Sequence, residues 1–339
     1  MMFMVRERGF ANVILLIVLA CPWPAQSQKY NKDNIPRLPG AALLEEGYLP
    51  ERQLLANEDE TVTLPEYLTG AFLSISADGR IIGCVRRTPG NSPLDQRRII
   101  SAYSVKDGRM TDYLEITGFY GSSAISPNGE KMAYVTSDPL PDTFGVHLNL
   151  RILDFKTAKV ESVNSPSENA GVISWSPDGR RIAFDLKSHS DQGLGYVSEI
   201  RTINIVDVES GKVSNIGVGM TPSWSPSGEW IAYVAYIPTD RADSQPSDFY
   251  AGRYYAINDF QVRLMSTVGT HSRILMRFHS DVGPNLKPVW SPDSKTLLFN
   301  RSRDPDSGTF DIYMVDVANG KPMKKFKNVA PVYGWVAAK

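Results

Sequence analysis

Short apolar runs separated by tight-turn signals recur along most of the chain. Gly171-Val172-Ile173-Ser174-Trp175 ends at Ser176-Pro177-Asp178-Gly179, and Ile182-Ala183-Phe184 leaves it. Ser126-Pro127-Asn128-Gly129, Ser225-Pro226-Ser227-Gly228 and Ser291-Pro292-Asp293-Ser294 repeat the phrase, and Ser76-Ala77-Asp78-Gly79 is a looser copy without the proline. Serine first, proline second and glycine fourth suit a type I turn, because proline presets φ and glycine relieves the exit. Two β-rich runs about such a turn predict a hairpin. A second hairpin follows in each unit, at Val105-Lys106-Asp107-Gly108, Val208-Glu209-Ser210-Gly211 and Val317-Ala318-Asn319-Gly320, with Phe155-Lys156-Thr157-Ala158 in the equivalent place.

The copies start 50, 50, 49 and 66 positions apart. A period near 50 indicates a propeller or a solenoid. Two linked hairpins give four antiparallel strands, one propeller blade, and no unit carries apolar residues at helical spacing over ten or more positions. The expected fold is all-β: a β-propeller of four-stranded antiparallel blades, six in number, with five as the alternative. Residues 53–339 form it. Gln53 to Leu64 supplies one or two strands, and Val329-Ala330-Pro331-Val332-Tyr333-Gly334-Trp335 begins another unit. A C-terminal strand beside N-terminal ones would close the ring and leave no open sheet edge. Residues 28–52, polar and proline-containing at the start, read as a flexible arm.

Before the arm, Arg6 and Arg8 precede the apolar run Ala11 to Ala20 and then Ala25-Gln26-Ser27. A basic start, about ten apolar residues and a small-x-small site predict a secretory signal over residues 1–27, cut after Ser27. The run is shorter than the roughly 20 residues that span a bilayer. The alternative is lipidation at Cys21, since Val18-Leu19-Ala20-Cys21 resembles a bacterial lipobox. The protein is therefore expected to be periplasmic or secreted, or an outer-membrane lipoprotein, with no transmembrane helix in the mature chain.

At 339 residues and 42% hydrophobic content the chain can bury a large core, and a net charge of −1 gives no polyelectrolyte surface for nucleic acid. Cys84 lies in an apolar strand and reads as a small buried hydrophobe. The chemistry-bearing motifs are absent or incomplete. No Gly-x-Ser-x-Gly elbow or phosphate-cradling glycine loop occurs, and the four histidines show no metal-ligand spacing. Asp304-Pro305-Asp306-Ser307-Gly308 lacks the acidic residue that would complete a calcium loop. Neither a catalytic residue nor a metal or cofactor site is assigned.

Strand alternation places the two tight turns of every blade at one face. The connection between second and third strands and the crossover to the next blade exit at the other. The turn-to-turn lengths of 29, 29, 32, 41 and 26 residues put the variation on that second face, and variable loops on a rigid scaffold are where binding usually resides. The longest excursion, Ala235 to Phe260, carries Tyr236, Arg241, Tyr250, Arg253, Tyr254 and Tyr255. Tyrosine and arginine are favoured at binding hot spots. Arg86, Arg87, Arg97, Arg98, His147, His189, Asp191, Tyr196, His279 and Asp281 are expected on the same face.

The Trp175-Ser176-Pro177-Asp178-Gly179 phrase, with Ile312-Tyr313-Met314-Val315-Asp316-Val317, resembles the TolB-type β-propeller repeat over residues 71–335. TolB itself is six-bladed and periplasmic, with an α/β domain before its propeller. Residues 28–70 are too short for that domain, so a Tol-system role does not follow. Similar propellers form the gating domain of prolyl-oligopeptidase-type peptidases and the body of oligogalacturonate lyase. The variable loop face and the absence of catalytic motifs lead to the expectation of a non-catalytic module that docks a protein or peptide of the cell envelope. The alternative is a propeller enzyme acting on carbohydrate or peptide at the channel mouth. Only four residues follow Trp335, too few for the hydrolase domain of such a peptidase.

Overall fold

The computed structural model describes residues 38, 41–46, 52–56, 61–65, 68, 72–87, 97–139, 146–163, 170–191, 197–239, 249–250, 253–267, 271–279, 287–302, 310–329 and 332–337. The expected leader, residues 1–27, lies outside them. The described strands form six antiparallel sheets. From innermost to outermost strand, blade one is Phe72–Ile75, Ile81–Arg87, Arg98–Ser104 and Arg109–Ile116. Blade two is Phe119–Ile125, Lys131–Pro139, Val146–Asp154 and Val160–Ser162, and blade three is Ala170–Trp175, Arg181–Asp191, Val197–Asp207 and Val213–Val218. Blade four is Met220–Trp224, Trp230–Thr239, Arg253–Ser266 and Ser272–His279, with the short strand Phe249–Tyr250 added. Blade five is Val289–Trp290, Thr296–Ser302, Phe310–Asp316 and Pro322–Val329.

The sixth sheet joins the two ends of the chain. Val332–Val336 is its innermost strand, followed by Ala41–Glu46, Arg52–Ala56 and Thr61–Thr63. Ala41 pairs with Val336 and Ala42 with Trp335. Each innermost strand touches the next around the ring, including Val332–Val336 against Phe72–Ile75, so the propeller is closed. The described residues therefore make six blades. The arm expected over residues 28–52 is corrected at its end, because Ala41–Glu46 and Arg52 belong to the closing blade.

Each repeated turn is built alike. The buried Ser176 hydroxyl donates to Asp178 Oδ1 at 2.5 Å and accepts the Arg181 amide at 2.9 Å, while the Gly179 amide closes on Ser176 O at 2.9 Å. Ser76, Ser126 and Ser291 make the same pair of side-chain bonds. The fourth position needs positive φ, which Gly179 (69°) meets freely and Ser294 (60°) meets with a side chain.

The second turns show the same demand. Gly108, Gly211 and Gly320 sit at 63°, 68° and 71°, and Ala158 takes φ 54° in their place, held by Asp154 Oδ1 accepting the Lys156 and Thr157 amides. Left-handed alanine costs about 1–2 kcal/mol, and glycine's freer unfolded chain returns part of any relief. Ala158→Gly is expected to stabilise the protein by about 0.5–1 kcal/mol. A urea midpoint unchanged or lowered by that substitution would contradict the reading.

Between blades the core is aliphatic and aromatic. One cluster joins Phe260, Val262, Leu264, Trp290, Leu297, Phe299 and Val315, and another joins Val135, Leu150, Ile152, Ile173, Trp175, Ile182 and Phe184. Cys84 is buried in blade one, and burial pushes its thiol up to about 12, which leaves it protonated and unreactive at neutral pH.

Candidate functional site: the ribbon face and the channel mouth

Blades two, three and four send their second and third strands past the body of the sheet as paired ribbons. Pairing continues to Pro139↔Val146 in blade two and to Asp191↔Val197 in blade three. In blade four it reaches Thr239↔Tyr254, and Phe249–Tyr250 adds a third strand to the ribbon through Phe249↔Tyr254 and Tyr250↔Arg253. All three rise from the face opposite the repeated turns. The sequence reading of a long loop at Ala235 to Phe260 becomes a β-ribbon there.

His147, His189, Tyr250, Arg253, Tyr254, Tyr255 and His279 occupy strand positions on this face, and their side chains lie outside the description. Tyr196, Arg241 and Asp281 lie outside the described residues altogether. In register, His147 pairs with Asp138, His189 with Glu199, and His279 with Asp259. Arg98 is half-buried, and its Nη1 donates to Arg97 O at 3.0 Å. Tyr236 packs on the blade interior, with its ring centroid 5.7 Å from that of Phe260. Among the described residues no group of three or more His, Cys, Asp and Glu is placed to hold a metal ion.

Arg86 stands at the loop-face end of the strand Ile81–Arg87 but is not a solvated charge there. It is buried, donates through Nε to Ser101 Oγ at 3.3 Å and pairs with Asp112 at 2.6 Å, while Ser101 Oγ donates to Asp112 Oδ1 at 2.7 Å. Burial alone would raise the Asp112 carboxyl, but the Arg86 and Ser101 hydrogen bonds hold it below its ordinary value. A depressed carboxyl contributes stability present above its unfolded value near 3.9 and lost as pH falls through the folded value. Asp112→Asn is expected to cost about 1 kcal/mol at neutral pH after solvent screening, with the difference shrinking as pH falls through the folded value. Denaturant midpoints measured from neutral pH into acid check this, and a difference that does not shrink on acidification would contradict it.

The six innermost strands enclose a channel cavity of about 220 Å³, lined among others by Ser74, Ser174, Trp224, Lys287, Trp290 and Tyr333. Adjacent blades are stitched along it by alternating devices. The Ser74 hydroxyl accepts the Ile125 amide at 2.8 Å and Ser174 accepts the Trp224 amide at 3.1 Å. Trp175 Nε1 donates to Ala124 O at 2.9 Å and Trp290 Nε1 to Ser223 O at 3.0 Å. Trp224 departs from its siblings. Its Nε1 is buried without an acceptor, and Arg181 sits 4.8 Å over its ring.

At the ribbon end of the channel the polar groups change character. Position four before each turn serine holds Phe72, Ser122, Val172, Thr221 and Lys287 in turn. Thr221 has φ 52°, an uncommon conformation for a β-branched residue, and its amide donates to Asp185 Oδ2 at 3.2 Å. Asp185 is 1% exposed and pairs with Arg201 at 3.3 Å. Burial pushes its carboxyl up, with Arg201 and the Thr221 amide opposing. Gly171 fits because a Cβ there would run into both Asp185 and Arg201. Lys287 is held below its ordinary value by burial, with Asp185 acting the other way. Sequence reasoning did not single out Lys287 or the channel serines. The available signal was alignment of the units, which shows one lysine where the others carry neutral residues.

Together the closed ring, its innermost-strand channel and its one-sided ribbons define a TolB-like β-propeller. The solved structure of TolB from Acinetobacter baumannii is similar, at TM-score 0.59 and 16% identity, with 88% of this chain and 66% of that one covered. No family model matches the chain. Two curated proteins are similar in sequence. They are the uncharacterized peptidase YuxL of Bacillus subtilis, 25% identical over 215 residues (56% of this chain, 31% of that protein), and dipeptidyl-peptidase 5 of Porphyromonas gingivalis, 28% identical over 146 residues (41% and 19%). The chain thus spans less than a third of the length of these relatives. Among the described residues no helix is long and apolar enough to cross a membrane.

Proposed function

We propose that this protein is a non-catalytic binding module of the cell envelope that docks a protein or peptide on its ribbon face. The supporting observation is the asymmetry of the ring. One face carries short hydrogen-bonded turns of nearly constant form, and the other carries three ribbons of unequal length. A rigid closed scaffold with variation confined to one face suits recognition. The blade-four ribbon brings Tyr250, Arg253, Tyr254 and Tyr255 together in sequence register, residue types that dominate binding energy when desolvated. A leader over residues 1–27 would export the protein to the periplasm or beyond, with lipidation at Cys21 as the alternative.

A second reading has one observation in its favour, the similarity to two peptidases. In that reading the propeller belongs to an enzyme acting on peptide or carbohydrate at the channel mouth.

Removing residues 240–252 and joining Thr239 to Arg253 through a two-residue turn leaves the blade body intact. Affinity capture from an envelope extract is expected to lose at least one protein that the intact chain retains, by about tenfold or more. Equal recovery of every captured protein by both versions would overturn the docking site.

A further inference from the structure

Among the described residues, Lys287 is the one formally charged side chain lining the channel cavity, beside Ser74, Ser174, Ser223, Ser225, Tyr333 and apolar neighbours. It makes no hydrogen bond or ion pair with the described residues. The acidic group that acts on it, Asp185, engages Arg201 and the Thr221 amide through Oδ2, keeps a buried Oδ1 without a hydrogen bond, and is not among the residues that line the cavity. The serines of the wall are also left as donors. Ser74 and Ser174 each accept an amide from the next blade, and neither hydroxyl donates to a described group. Two aromatic side chains stand open at the same end. Phe72 and Tyr333 are each 45% exposed, and Phe72 meets Phe119 edge-on at a centroid distance of 5.0 Å.

Among the described residues the cavity lining carries one ammonium, serine hydroxyls with protons to give and no carboxylate, and so is complementary to an acceptor that carries negative charge. Low-dielectric walls focus the field of that single cation, and desolvation makes a pairing partner worth more than it would be in water. We propose that the channel cavity binds the carboxylate of a small peptide-like ligand, with Lys287 as its counter-ion, Ser74 and Ser174 as further donors, and Tyr333 against its apolar part. The volume of about 220 Å³ admits one residue-sized group. This goes beyond the docking reading and would stand if the ribbons docked nothing.

Two chemical sources can present such a carboxylate, a chain terminus and an acidic side chain. Calorimetric titration of the full chain with N-acetyl-phenylalanine and its amide tests the first. Titration with N-acetyl-aspartate amide and N-acetyl-asparagine amide tests the second. In at least one pair the acid is expected to bind about tenfold tighter than its neutral partner. Lys287→Met is expected to bring that ratio to about one while leaving the melting temperature unchanged. Matched affinities within each pair, no saturable binding of either acid up to about 10 mM, or a ratio that survives Lys287→Met would overturn the site.

Discussion

Trp290→Ala is expected to destabilise the propeller by about 3–5 kcal/mol, the range for truncating a well-packed tryptophan. Trp290 is 4% exposed and sits in the cluster that joins blades four and five. Its Nε1 donates to Ser223 O at 3.0 Å, so the substitution opens a cavity and also orphans a carbonyl of the neighbouring blade. Trp290→Phe separates the two effects by keeping most of the volume and losing the bond. Trp224→Phe supplies the control, because the Trp224 Nε1 has no acceptor to lose. The phenylalanine variant at 290 is expected to cost about 1 kcal/mol more than the one at 224. Equal costs by denaturant titration would mean that the inter-blade bond contributes nothing measurable.

Gly118→Ala is expected to cost about 3 kcal/mol. Gly118 lies in the crossover from the outermost strand of blade one to the innermost strand of blade two, with φ 65°. Its carbonyl accepts both the amide of Ser137 at 2.5 Å and its hydroxyl at 3.1 Å. A Cβ would run into the Ser137 backbone carbonyl, which cannot rotate away as a side chain could. The left-handed conformation and the overpacking each contribute about 1–3 kcal/mol. Gly179→Ala isolates the first, because Gly179 has φ 69° and nothing within 4 Å of a Cβ. It is expected to cost about 1 kcal/mol. If the two glycine variants melt together, the crossover is not held by this contact.

The blades were legible in sequence because each turn states its own geometry. A serine that both donates to the third residue and accepts the amide five positions on is a local device, and it works the same way in Ser76, Ser126, Ser176 and Ser291. Ala41–Glu46 was not legible. Its sequence, Ala-Ala-Leu-Leu-Glu-Glu, consists of strong helix formers, and it becomes a strand through pairing with Arg52–Ala56 and Val332–Val336. That partner is nearly the whole chain away, so no local pattern announces it. The burial of Arg86 was not legible for a related reason, since its partner Asp112 lies two strands away in the same blade. Lys287 escaped notice because one residue in a repeat carries meaning only once the ring brings the equivalent positions of other blades around it.

Recognition is expected to take place on the ribbon face and not on the turn face. Photo-crosslinking in intact cells tests it most directly, with a benzophenone amino acid placed in turn at Ser190 and Thr239 on the ribbons, and at Lys156 and Arg180 in the exposed turns. The expected result is a discrete protein adduct from at least one ribbon position and none from the turn positions. Adducts from the turn positions alone would contradict it.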